Sequence, residues 1–137
     1  RHMEAEFSRI EIMSSMGKVA DFIHKLGTEE TVKKLTGLGV TGVTIFNNVI
    51  GCGVQNGQAE YAYELLPNQL AMQLLPKSVV TIICETKMVD ELIEFLKVEL
   101  YTGHIGDGKI FVSDIRNIIR VRTGEEGVDA LNISAND

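Results

Sequence analysis

Residues Ser78 to Cys84, Ser-Val-Val-Thr-Ile-Ile-Cys, are nearly all apolar or β-branched. Such side chains are stiff at χ1 and favour extended backbone. The run suits a central strand covered on one or both faces. A chain that buries it needs further strands beside it and helices over it, and the flanking sequence supplies both. Thr86 to Tyr101 places Val89, Leu92, Ile93, Leu96 and Leu100 on one face of a helix. Lys109 to Ile115 then reads as a strand and Ile118 to Arg122 as a shorter one.

The N-terminal half repeats this order. Phe7 to Met13 alternates apolar and charged residues near its middle, as a half-buried strand does. Ser14-Ser15 is placed to cap a helix carrying Val19, Phe22, Ile23 and Leu26 at helical spacing. Gly27-Thr28 interrupts it. A second helical piece runs from Glu29 to Leu38 with Val32 and Leu35, capped by Thr28 and with Glu29 and Glu30 in its first turn. Val40 to Val49 reads as a strand. Gly51 to Lys77, with three glycines, two tyrosines and two prolines, has no steady period and reads as a long functional loop. The order strand–helix–strand, loop, strand–helix–strand predicts an α+β chain, a ferredoxin-like βαββαβ sandwich. Arg1-His2-Met3 reads as the remnant of an engineered tag, 4–131 as one domain, and 132–137 as a loose tail. The tail is expected to lose its structure after Gly127.

The 137 residues suffice for one core, and the net charge of −6 speaks against a nucleic-acid partner. No apolar run approaches the roughly 20 residues that span a bilayer, so no direct membrane insertion is expected. Cys52 and Cys84 have no metal-ligand spacing; Cys84 ends the apolar run and reads as a buried thiol. Two free cysteines without a secretory signal point to a reducing cytosol. His24 and His104 lack a third ligand at recognisable spacing, so no metal centre is expected from them.

The densest chemical signal is Thr102-Gly103-His104-Ile105-Gly106-Asp107-Gly108-Lys109. Glycines open backbone conformations closed to other residues, and successive N–H groups in such turns form anion-binding nests. Lys109 adds a point charge. Arg120 and Arg122, two apart on the predicted strand, share a face and suit bidentate phosphate contact. Lys77 precedes the apolar strand. Four cations around a glycine turn on an acidic chain fit a polyphosphate site. The same residues are equally consistent with an ordinary turn and with Arg120 and Arg122 either solvated or paired to Glu125 and Glu126.

Gly106-Asp107-Gly108-Lys109-Ile110-Phe111-Val112, followed by Ile119-Arg120-Val121-Arg122-Thr123-Gly124-Glu125-Glu126, resembles the C-terminal signature of PII signalling proteins. Gly39-Val40-Thr41-Gly42-Val43-Thr44 and Gly51-Cys52-Gly53-Val54-Gln55-Asn56-Gly57 resemble that family's second strand and the opening of its T-loop, and Leu75-Pro76-Lys77 the loop's close. The likeness extends from Glu29 to Leu131.

The resemblance implies a non-enzymatic cytoplasmic homotrimer that binds ATP or ADP between subunits. It would act on a membrane transporter or metabolic enzyme, in nitrogen metabolism, through residues 51–77, and associate with a membrane only through such a transporter. It implies nucleotide contacts at Thr44, Gly53, Gln55, Lys77, Gly106, Asp107, Gly108, Lys109, Arg120 and Arg122. Gln55 matches a position that holds magnesium beside ATP and 2-oxoglutarate, and Lys77 matches the lysine that pairs with the 2-oxoglutarate carboxylate; an amide oxygen suits a hard cation. Val54 stands where many members have a phosphate-holding arginine, which weakens the expected preference for ATP over ADP or AMP. The modified tyrosine of some members has no clear counterpart, since Glu64-Leu65-Leu66 replaces its context beside Tyr61 and Tyr63. Tyr61, Tyr63, Leu65, Leu66, Leu70, Met72, Leu74 and Leu75 make the loop apolar and suit it to a partner surface. Two alternatives stand beside this reading. One is a nucleotide-hydrolysing enzyme using Asp107 and Gln55, and the other is a PII-like regulator of a transporter outside nitrogen metabolism.

Overall fold

The computed structural model of the chain describes residues 5–56, 70–101 and 108–132. β1 (Phe7–Ser15) leads into α1 (Met16–Lys25) and α2 (Glu29–Gly37), followed by β2 (Thr44–Asn56), β3 (Leu70–Glu85), α3 (Val89–Leu100), β4 (Lys109–Ile115) and a short α4 (Val128–Leu131). The sheet order is β2-β3-β1-β4, with every neighbouring pair antiparallel. This is the ferredoxin-like arrangement expected from the element order.

Period-two alternation divides the sheet into two faces. Ile10, Ile12 and Ser14 of β1 lie opposite Ile82, Val80 and Ser78 of β3, and all six are buried. The four apolar ones join Val19 and Phe22 of α1, Leu35 of α2, and Leu92, Leu96 and Leu100 of α3 in one core. α1, α2 and α3 therefore cover one face. The other carries Glu11, Met13, Thr81, Val79, Phe46 and Phe111 by the same registers, and Phe46 and Phe111 are 55% and 47% exposed.

The helix caps act as the sequence predicts. Ser15 accepts from the Lys18 N–H and Thr28 from the Thr31 N–H. α2 ends in a Schellman motif: Gly39 takes φ +82°, its N–H reaches the Thr36 carbonyl at 3.0 Å, and the Val40 N–H reaches Leu35 at 2.9 Å. That motif corrects the strand expected over Val40–Val49. Val40 is buried against Leu35 as part of the helix stop, and pairing starts only at Thr44.

The strand also runs further than expected. After a bulge between Phe46 and Val49, β2 and β3 continue as a two-stranded ribbon from Ile50↔Pro76 to Asn56↔Leu70. β1 stops at Ser15↔Lys77, so the ribbon projects past the body of the sheet. The segment read as a loop over Gly51–Lys77 is thus paired strand at both ends. Ladder hydrogen bonds tolerate its glycines, which side-chain periodicity cannot reveal.

Ile118–Arg122 is not a strand. A single bridge joins Ile119 to Glu126, the Arg120 N–H bonds the Glu125 carbonyl, and the Gly124 N–H bonds that of Arg120, each at 2.8 Å. The β-branched residues there close a turn. Beyond it, residues expected to be loose form α4.

A polar contact ties the bulge to the core. Ser78, fully buried, donates to Asn47 Oδ1 at 2.8 Å. Asn47→Ala removes that acceptor and leaves a buried hydroxyl unmatched. It is expected to destabilise the fold by about 1–2 kcal/mol, read from denaturant unfolding, with Ser78→Ala recovering part of the loss in the double variant.

Candidate functional site

Strand register brings three of the predicted residues to the face opposite α1, α2 and α3. Thr44 lies opposite Thr81, Lys77 opposite Ser15 and Val49, and Lys109 opposite Met13. All three share the parity of Glu11 and Phe111. Lys77 and Lys109 sit at the end of the sheet where β1 stops, and Lys77 stands at the root of the projecting ribbon. Lys109 is exposed and Lys77 half-buried.

Gly108 has a structural reason to be glycine. Its φ is +89°, and a Cβ built there would overlap the Met13 carbonyl oxygen. The backbone enters β4 in van der Waals contact with β1, a conformation and an approach that exclude a side chain. Strand closure alone therefore accounts for glycine at position 108. Gly106 and Asp107, with His104, lie outside the described residues, as do Tyr61, Tyr63, Glu64, Leu65 and Leu66.

Other predicted residues stand apart. Gln55 pairs with Ala71, six residues along β2 from Val49, which faces Lys77. At strand rise this is about 20 Å, and Gly53, paired with Gln73, lies between. Arg120 and Arg122 lie beyond the far end of β4. Ile115 pairs with Phe7, about 20 Å of strand away from Lys109. The Phe7 ring packs beside Gly127, and the Gly127 N–H bonds the Ile118 carbonyl at 2.9 Å. One chain thus places its lysines at one end of the sheet and its arginines at the other.

The arginines lie on a turn and not on a strand, so the strand parity expected to align them does not apply. Arg122 is exposed, while Arg120 is half-buried. The pairing alternative holds for Arg120, whose Nε lies 3.6 Å from Glu125 Oε1. Glu126 accepts from Asn117 Nδ2 at 2.7 Å. Arg120 Nη2 also donates to the carbonyls of Ala130 at 3.0 Å and Asn132 at 2.5 Å. Sequence reasoning missed these partners, since backbone acceptors leave no side-chain signature. Cys84 is fully buried, and desolvation, with a smaller contribution from Glu85, pushes its thiol up; it is a core residue and not a nucleophile. Among the described residues no cluster of three His, Cys, Asp or Glu is placed to hold a metal, and no helix is long and apolar enough to cross a membrane.

These features define a ferredoxin-like α+β domain with cations on its open sheet face and a projecting hairpin. Residues 16–125 match the family model for Nitrogen regulatory protein P-II. The chain is 37% identical over 114 residues to the Nitrogen regulatory protein P-II of Cyanidium caldarium, covering 83% of this chain and 97% of that one. It is 36% identical over 116 residues to that of Pasteurella multocida, covering 85% of this chain and 100% of the other. Among solved structures, the GlnK–ATP complex of B. subtilis superposes with a TM-score of 0.66 at 31% identity, over 94% of this chain and 99% of that one. The Arabidopsis thaliana PII bound to citrate shares the fold with a TM-score of 0.65 at 24% identity, over 96% and 95% of the two chains. The chain belongs to the nitrogen regulatory protein P-II family. Its members are signalling regulators and not enzymes, which sets aside the nucleotide-hydrolysing alternative.

Because Gly108 closes β4 against β1, Gly108→Ala is expected to cost at least about 2 kcal/mol and to lower the thermal midpoint. Lys109→Gln, one residue on and exposed, should leave that midpoint within a degree or two of the parent's, on the order of the small effect of a surface change.

Proposed function

We propose that this chain is a cytosolic homotrimeric sensor that binds ATP or ADP in the clefts between subunits and reports it through the β2–β3 ribbon. The observation that carries this reading is the division of cations between the two ends of the sheet. A polyphosphate needs several positive groups around it, and one chain does not bring Lys109 and Arg120 together. A neighbouring copy that sets its arginine turn beside the lysine end of the first completes the set. The exposed Phe46 and Phe111 favour such an assembly, since an apolar sheet face calls for a cover.

In this reading the turn from Gly106 to Lys109 and the arginines Arg120 and Arg122 hold the phosphates, Thr44 lies near the base, and Gly53 lets the ribbon approach. The GlnK relative in complex with ATP supports the ligand class. Lys77 at the ribbon root takes the carboxylate of a small metabolite such as 2-oxoglutarate. Gln55 supplies an amide oxygen to magnesium only if the ribbon folds back, since in its extended form the two are about 20 Å apart. Val54 in place of an arginine narrows the preference for ATP over ADP or AMP. The ribbon engages a transporter or a metabolic enzyme of nitrogen metabolism; a transporter outside it is the second reading, motivated by the altered loop sequence.

Titration calorimetry with ATP, ADP and AMP tests the central point. ATP and ADP should bind, and Lys109→Gln should weaken both by about tenfold, the loss of one charge-assisted contact, without shifting the thermal midpoint. Absence of binding by all three nucleotides overturns the reading. Light scattering that gives a monomer at micromolar concentration removes its trimeric part.

A further inference from the structure

Arg120 is held by the chain's own C-terminal segment. Its Nη2 donates to the Ala130 and Asn132 carbonyls, and the same segment is fixed from the other side by Thr41 Oγ1, which donates to the Leu131 carbonyl at 2.8 Å. Within the segment, the N–H groups of Ala130 and Leu131 bond the Gly127 carbonyl and that of Asn132 bonds Val128. α4 and Asn132 therefore bridge Arg120 to the residues just ahead of β2, close in sequence to Thr44.

A guanidinium recognises phosphate through a planar fork of N–H donors. In this structure one arm of the fork is committed to two carbonyls, and Nε faces Glu125. Carbonyl oxygens carry partial charges and phosphate oxygens full ones, and charge-assisted hydrogen bonds are roughly twice as strong as neutral ones, so phosphate competes with the carbonyls for Arg120. The exchange requires the segment to leave.

We propose that Val128–Asn132 is an autoinhibitory clasp on Arg120 that the phosphates of a bound nucleotide displace, so that nucleotide binding releases the C-terminal segment. This rests on the adenine-nucleotide reading above. The clasp lowers apparent affinity by the fraction of molecules in which Arg120 is covered. By reciprocity, anything that captures the released segment tightens nucleotide binding by the factor by which bound nucleotide favours that capture.

Hydrogen exchange on the full chain, with and without ADP, reads the clasp directly. The amides of Ala130, Leu131 and Asn132 should exchange faster when ADP is bound. Two full-length variants loosen the segment without touching the binding residues. Thr41→Val removes the bond to Leu131. Asn132→Pro removes the N–H bonded to Val128 and disfavours helical backbone at Leu131. Each should bind ADP more tightly, on the order of fivefold for one hydrogen bond lost from the competing state. Binding of ADP by the parent with unchanged or slower exchange at 130–132 overturns the clasp and leaves the nucleotide reading intact. Absence of ADP binding by the parent and both variants overturns both. Binding seen only in the loosened variants supports the clasp in its strongest form.

Discussion

The register between β1 and β3 is the constraint on which the molecule depends. Side chains alternate along a strand with period two, so pairing Ile12 with Val80 assigns every residue of both strands to a face at once. It sends Ile10, Ile12, Ile82 and Cys84 into the helix-covered core and leaves Glu11, Met13, Val79 and Thr81 on the open side. A slip by one residue would reverse both sets, exposing the core side chains and driving Glu11 and Lys77 beneath the helices. Hydrophobic burial of about 25 cal/mol per Å² opposes such a slip strongly. The buried Ser78–Asn47 bond opposes it too, since a buried hydroxyl needs its partner at one register only. The same choice fixes Lys77 opposite Ser15, and the β1–β4 register sets Lys109 opposite Met13 on the same face, so the core and the cationic end of the open face are settled by the two pairings of β1.

Strand length then decides what a single copy can do. β4 carries the chain from Lys109 to Ile115, about 20 Å, before the turn that holds Arg120 and Arg122. Antiparallel geometry gives no way to return those arginines to the lysine end within one chain. Residues adjacent in the sequence signature are thus distant in the fold. In the proposed assembly the signature becomes a single site when two copies lie side by side, and the open face with exposed Phe46 and Phe111 favours such pairing.

Where the sequence was legible, side-chain pattern and local hydrogen bonding agreed. β1, the break between α1 and α2, α3 and β4 all follow from apolar periodicity and from the Ser15 and Thr28 caps, and the apolar half of β3 follows from its β-branched run. The misreadings share a cause. Val40 is β-branched and buried, yet its burial comes from the Schellman stop of α2, which depends on the positive φ of Gly39. The ribbon over 50–56 and 70–76 is held by main-chain bonds between distant segments, which composition does not encode. Ile118–Arg122 has strand-forming residues, but the bonds of Arg120 and Gly124 close a turn instead. The cations of the site were readable as residue types. Their partition between the ends of the sheet, and the engagement of Arg120 by backbone carbonyls, were not, because both arise from where the chain returns in space.

A ligand changes a protein only through the difference in its contacts with two states. In the assembly proposed here, one nucleotide would touch the lysine end of one subunit and the arginine turn of the next. The first of these sits at the root of the ribbon, where Lys77 marks the last residue pair shared with the body of the sheet. The second is tied to the C-terminal segment and, through Thr41, to the approach to β2. A single phosphate group would then bear on the ribbon of one copy and the tail of its neighbour. Coupling of that kind follows from the distance between Lys109 and Arg120 along the sheet: had the fold placed both on one turn, a single chain could bind the ligand, and nothing in the binding event would require the subunits to respond together.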